Sequence, residues 1–432
     1  AACARTEPQA QGAGALLDEA TDFILSAYPE TASSAGLDTG KYAQLKSQLT
    51  DRSAAGQASI KSQTRDILAR LAKIDTENLP ADEALNVDVV RTVFETASEG
   101  FDFPYGDMAL LNNNWSYRNS PYAVAQNVGA FVEIPSFLDS SHSIETAEDA
   151  DAYLARMEAY AGQLDGETDR VIEDGERGVV LPDFLMTKTL GQLRGALSSP
   201  VDGWGVVGSL AARSANFSGD YAAKAKAIAE QKIAPALARQ AAALEALAAK
   251  STTSAGVWAQ PDGEAYYAWA LKAGTTTTMS PDEVHEMGLE ELEALHGEMD
   301  PILKSIGYAD GPVGARMTAL ADDPRYKFSD GDKGRAEIVA LIEETLTDIR
   351  GRMPQAFETL VPGFLEVTRI APDVEAGAPG AYGGPGSIDG KQPGHFWINL
   401  RTPDLHSRFS LPDLTYHEAI PGHVWQGEYT FK

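Results

Sequence analysis

The chain has 432 residues, 43% hydrophobic and 23% charged, which allows two or three globular domains and argues against global disorder. Asp and Glu outnumber Lys and Arg by 63 to 35, a net charge of −28 that repels phosphate backbones and anionic lipid heads and so argues against a nucleic-acid partner. No apolar run approaches the roughly 20 residues needed to span a bilayer, and the single cysteine, Cys3, excludes an intrachain disulfide.

Ala1-Ala2-Cys3 matches the last three positions of a bacterial lipobox. Cys3 is therefore a candidate for lipidation, which would place the protein in the bacterial envelope, periplasmic or membrane-anchored; the other reading is an incidental cysteine. Residues 1–14 are small and polar and are expected to form a flexible tether.

Helical spacing of apolar residues then predicts helices over Ala15–Tyr28, Ser53–Ile74, Asp82–Thr96, Thr146–Asp174, Pro182–Leu197 and Ser218–Lys250, the last kinked at Pro235. Phe101–Asn119 is aromatic and Asn-rich, a packed connecting loop or a cleft wall. Ser251–Gly263 interrupts the helices, dividing a helical domain, 15–255, from a catalytic-type domain, 256–432. Ser280, Pro281 and Glu283 form a helix start, and that helix should run to about Ile306. It carries His285 and His296, read as structural because their spacing does not bring them together. A further helix is expected over Lys333–Arg350, strands over Phe364–Ile370 and His395–Leu400, and between the strands a Gly- and Pro-rich loop, 376–394. Leu411–Phe431 returns to helical character.

That last stretch contains His417-Glu418-Ala419-Ile420-Pro421-Gly422-His423, in a sequence with only 7 histidines. The order His-Glu…His is that of zinc hydrolases that carry two metal ligands and a general base on one helix. Those ligands are usually one turn apart. Six residues on an unbroken helix would leave the rings about 120° and about 9 Å apart, too far for two zinc bonds of about 2.1 Å. Pro421 lacks the N–H that would bond the carbonyl of His417, and Gly422 tolerates conformations closed to other residues. A looped-out pair at this point would return His423 to the face of His417. Alternatively, Pro-Gly ends one helix, His423 begins another, and no metal binds. In the first case Glu418 has the position of a general base that takes a proton from an attacking water.

Tyr416–His423 with Gln426, together with Ala381-Tyr382, Pro385, Asp389-Gly390, Pro393-Gly394 and Phe396–Leu400, resembles the bacterial family known as domain of unknown function 885. Weaker similarity covers Gly178–Leu193 and Ser280–Ile302. That family is grouped with gluzincin-type zinc peptidases. The resemblance implies a mainly α, multi-helix metallopeptidase-like fold with a small β-sheet next to the active-site helix, and an edge strand that pairs with the substrate backbone, for which His395–Leu400 is the candidate. It further implies Zn2+ held by His417 and His423, Glu418 as the catalytic base, Tyr416 and Gln426 as supports behind the ligands, Tyr382 and Asn399 as substrate contacts, and a peptide substrate. Family members continue past this motif to a Glu-bearing helix that supplies a third ligand. The 432 residues are therefore expected to lack that ligand and to hold zinc weakly. The competing expectation is a non-catalytic helical envelope lipoprotein, a scaffold or peptide-binding module.

Overall fold

A computed structural model describes residues 6–110, 119–370, 372, 375 and 378–432, and the side chains from residue 12 onward. Cys3 and residues 111–118 of the Asn-rich stretch lie outside the described residues. The chain forms two compact units, Ala1–Pro281 and Asp282–Lys432.

The first unit is helical: α1 Thr6–Ala27, α2 Pro29–Ser34, α3 Ala54–Leu71, α4 Ala81–Gly100, α5 Ala130–Ser140, α6 Ala147–Glu176, α7 Asp183–Ser198, α8 Gly205–Arg213, α9 Tyr221–Ile228, α10 Ala234–Ala248 and α11 Gly263–Thr275. Helix α1 begins at Thr6, so most of the expected tether is helical, and Ala13 is already buried. The long α6 starts on a reciprocal cap, in which the Thr146 hydroxyl accepts from the Asp149 N–H while the Asp149 carboxylate accepts from the Thr146 N–H. Its apolar positions, Tyr153, Leu154, Met157, Leu164 and Val171, pack with Leu237, Ala241 and Leu244 of α10. The expected kink before Pro235 takes the form of a π-turn over Ala229–Ile233, which widens the helix where proline removes a backbone donor.

Residues 256–281 were expected with the second domain, yet α11 packs in the first unit. Trp269 donates its indole N–H to the Thr96 carbonyl at 2.9 Å, Tyr266 donates its hydroxyl to the Asn119 carbonyl at 2.7 Å, and both rings join the core formed by Phe94, Phe101 and Tyr105. The physical reason is aromatic burial: these two large side chains find their apolar partners on α4 and the segment after it.

The second unit contains α12 Pro281–Ser305, α13 Val313–Asp322, α14 Gly331–Arg352, a sheet of β1 Leu365–Arg369, β2 Ala381–Gly384 and β3 Gly394–Ile398, then α15 Leu411–Glu418 and α16 His423–Thr430. The fold is thus mainly helical with a small sheet beside the motif helix, as expected. Strand order is β1-β3-β2; β1 runs parallel to β3 and β2 antiparallel to it. Two expectations change here. The segment 376–394 is not all loop, because Ala381–Gly384 pairs with β3, Tyr382 opposite Trp397. And β3, the expected edge strand, is central, so the edges are β1 and β2. One face of β3, Phe396 and Ile398, packs on Ile338, Ile342 and Leu346 of α14 and on Leu411, Ala419, Ile420 and Trp425. This core fixes the motif helix against the sheet.

Candidate metal centre

Helix α15 stops at Glu418, and α16 starts at His423. Between them the Ile420–Pro421 peptide is cis. Two backbone bonds span the break: Gly422 N–H donates to the Tyr416 carbonyl at 2.9 Å, and Trp425 N–H to the Ala419 carbonyl at 3.0 Å. Each reaches back six residues, where an α-helical bond reaches four. The chain therefore spends its two extra residues in a closed bulge. Glycine at 422 is required by space, since any Cβ there would overlap the backbone of His417 and Tyr416. The two sequence readings merge: one helix ends and another begins, yet the His417 and His423 rings lie 4.9 Å apart, at 85°.

Glu418 lies between them. One nitrogen from each ring and one carboxylate oxygen all fall within 4.8 Å of one another. His417 is exposed, His423 partly buried and Glu418 buried, 7% exposed. Its Oε2 has no hydrogen-bond partner in the structure. A buried carboxylate oxygen without a donor is costly, and such an orphan points to a missing ligand, water or ion. Two imidazoles and an oxygen are donors suited to zinc, so the residues present fit the metal. Among the described residues this is the one group of three or more His, Cys, Asp or Glu with such proximity. Glu428 does not join it, because its carboxylate accepts the Gly363 N–H at 2.5 Å.

The other predicted residues separate. Tyr382 sits on β2, its ring stacked on Trp397 at 4.9 Å, and burial raises its hydroxyl pKa. The next residue, Gly383, touches the motif helix so closely that a Cβ would overlap the Glu418 backbone. Sequence reasoning gave Gly383 no role, although two adjacent glycines beside a strand-compatible tyrosine were its only available signal. Asn399 is not placed to meet substrate. It is 2% exposed, its amide donates to the carbonyls of Glu375, Ala378 and Pro379, and its oxygen accepts the Arg401 N–H. That asparagine pins the loop before β2 instead. Gln426 is exposed and its amide points to the Thr430 hydroxyl at 3.4 Å, away from a supporting role behind the ligands. Tyr416 contributes through its carbonyl, which closes the bulge.

Fold and motif together define a helical protein with a small sheet pressed against a His-Glu…His helix break. The chain belongs to the family described as bacterial protein of unknown function (DUF885), which matches residues 29–431. It is similar to the crystal structure of a "putative lipoprotein" from Colwellia psychrerythraea, with a TM-score of 0.86 and 26% identity over 97% of this chain and 72% of that one. A "putative lipoprotein of unknown function" from Shewanella oneidensis shares the fold, with a TM-score of 0.58 and 17% identity over 96% of this chain and 70% of that one. No curated protein matches. No helix among the described residues is long and apolar enough to cross a membrane.

Proposed function

We propose that the protein is a zinc-dependent peptidase of the cell envelope. The observation that carries this reading is the convergence of His417, His423 and the partnerless buried oxygen of Glu418 across the helix break. His417 and His423 would hold the metal. When bound, zinc lowers the pKa of water and polarises a substrate carbonyl. Glu418 takes a proton from the attacking water and delivers it to the departing amine, which its position beside both rings allows. Strand β2 is the better candidate for pairing with substrate backbone: it is an edge strand, and Gly383 brings it against Glu418. Because the group offers two imidazoles and one carboxylate that is needed as base, weak metal affinity and weak turnover are expected.

The names of the two solved relatives favour an envelope location, and Cys3 is proposed as the lipidated residue. Metabolic labelling with a fatty acid, lost in Cys3→Ser, tests this. The peptidase reading is tested with a mixed peptide library and added zinc. Cleavage by the wild type, absent in Glu418→Gln, is the expected result; equal cleavage by both would remove Glu418 from the chemistry. No cleavage by either, with zinc bound, would favour the non-catalytic envelope protein.

A further inference from the structure

Helix α12 is exposed on all sides over about four turns: every residue from His285 to Glu298 is exposed. A helix standing alone in water draws little stability from its backbone, and lasting helices in proteins bury an apolar stripe. This one has such a stripe and does not bury it. Leu292, Leu295, Met299, Ile302 and Ile306 follow a 3-4-3-4 spacing, the seam of paired helices. Only Met299 in the seam packs against the small cluster of Leu303, Val313 and Leu320, while Leu295 and Ile302 are 52% and 61% exposed. One turn before Leu292 the seam passes through Gly288, where a Cβ would meet nothing within 4 Å. Glycine there weakens the helix by about 1 kcal/mol relative to alanine and leaves a notch along the seam.

Charge selects the occupant. The helix carries eight acidic side chains against the single base Lys304. Glu291 and Glu298 line one edge of the seam by helical spacing. An antiparallel second copy would set these acids against their equals, a parallel copy would set Glu298 against the apolar Leu303, and an anionic membrane would be repelled by the same charge. We propose that the seam is the docking face for a different amphipathic helix, with its own 3-4 spaced apolar residues and Lys or Arg facing Glu291 and Glu298. The proposal is independent of the zinc reading.

The probe is a designed helical peptide with a Leu/Ile seam and Lys at the flanking positions, titrated against the 432-residue chain. A second peptide carries Glu at those positions. Saturable binding of the Lys peptide is expected, with amide protection over residues 285–306, and binding about tenfold or more weaker in Leu295→Lys. Glu293→Lys, away from the seam, should leave the peptide bound. Absence of binding, equal binding of the Glu peptide, or no effect of Leu295→Lys would overturn the proposal. So would a wild-type dimer, or adsorption to phosphatidylglycerol vesicles, that Leu295→Lys abolishes.

Discussion

Gly422 and Glu418 show how single residues set this site. A side chain at 422 would overlap the backbone of His417, so Gly422→Ala must open the bulge and move one ring away from the other. We expect it to cost about 1–3 kcal/mol of stability and to remove most of the zinc-induced rise in melting temperature, read by calorimetry with and without zinc. Glu418→Gln is close in shape and replaces a partnerless buried carboxylate oxygen with a neutral amide. It should keep or raise stability while lowering any peptide cleavage by about 10²–10⁴-fold, a separation that kinetics and unfolding together would check. In the first unit, His142 gives a pH prediction. Burial, then the Arg156 charge, lowers its pKa from 6.5 to about 3. Its Nδ1 faces Arg156 at 2.8 Å and its Nε2 faces the Asp149 carbonyl at 3.0 Å, which fixes a neutral ring with the proton on Nε2. The folded state thus binds this proton less well than the unfolded chain. The stability contributed is complete above about pH 6.5 and is lost as pH falls toward 3. Urea unfolding between those values should show a shallower acid limb in His142→Asn than in the wild type.

Among the elements, the long helices were legible because their apolar residues repeat at helical spacing; α6 was expected over Thr146–Asp174 and occupies Ala147–Glu176. Strand β2 was not legible. Ala381-Tyr382-Gly383-Gly384 lies in a Gly- and Pro-rich stretch with no alternation, and only its pairing with β3 makes it a strand. The same pairing moved β3 from edge to centre, since strand order is a tertiary decision that local sequence does not encode. The bulge was legible because Pro421 and Gly422 each have a specific backbone consequence, whereas Asn399 looked like a ligand contact only until its loop partners were known. These assignments predict that Gly383→Val will push β2 from the motif helix and weaken zinc binding by about tenfold or more, measured by competition with a chromogenic chelator.

At the scale of the whole molecule, the net charge of −28 governs what the protein approaches. Without a lipid on Cys3, the chain should not sediment with phosphatidylglycerol vesicles at about 0.1 M salt, where repulsion still acts over a Debye length near 10 Å. Two units of distinct construction divide the chain: one a helical body with buried ion pairs such as Arg52–Glu167 at 2.8 Å, the other a sheet-braced helix break that gathers His417, Glu418 and His423. The central claim is that this break is a metal site. Its most direct test is zinc binding at equilibrium, with the chain dialysed against rising concentrations of buffered free zinc and the zinc bound at saturation read by mass spectrometry. The account predicts about one zinc per chain, retained in Glu418→Gln and lost in His417→Ala and in His423→Ala. Zinc absent from the wild type, or unchanged when both histidines are replaced, would contradict it.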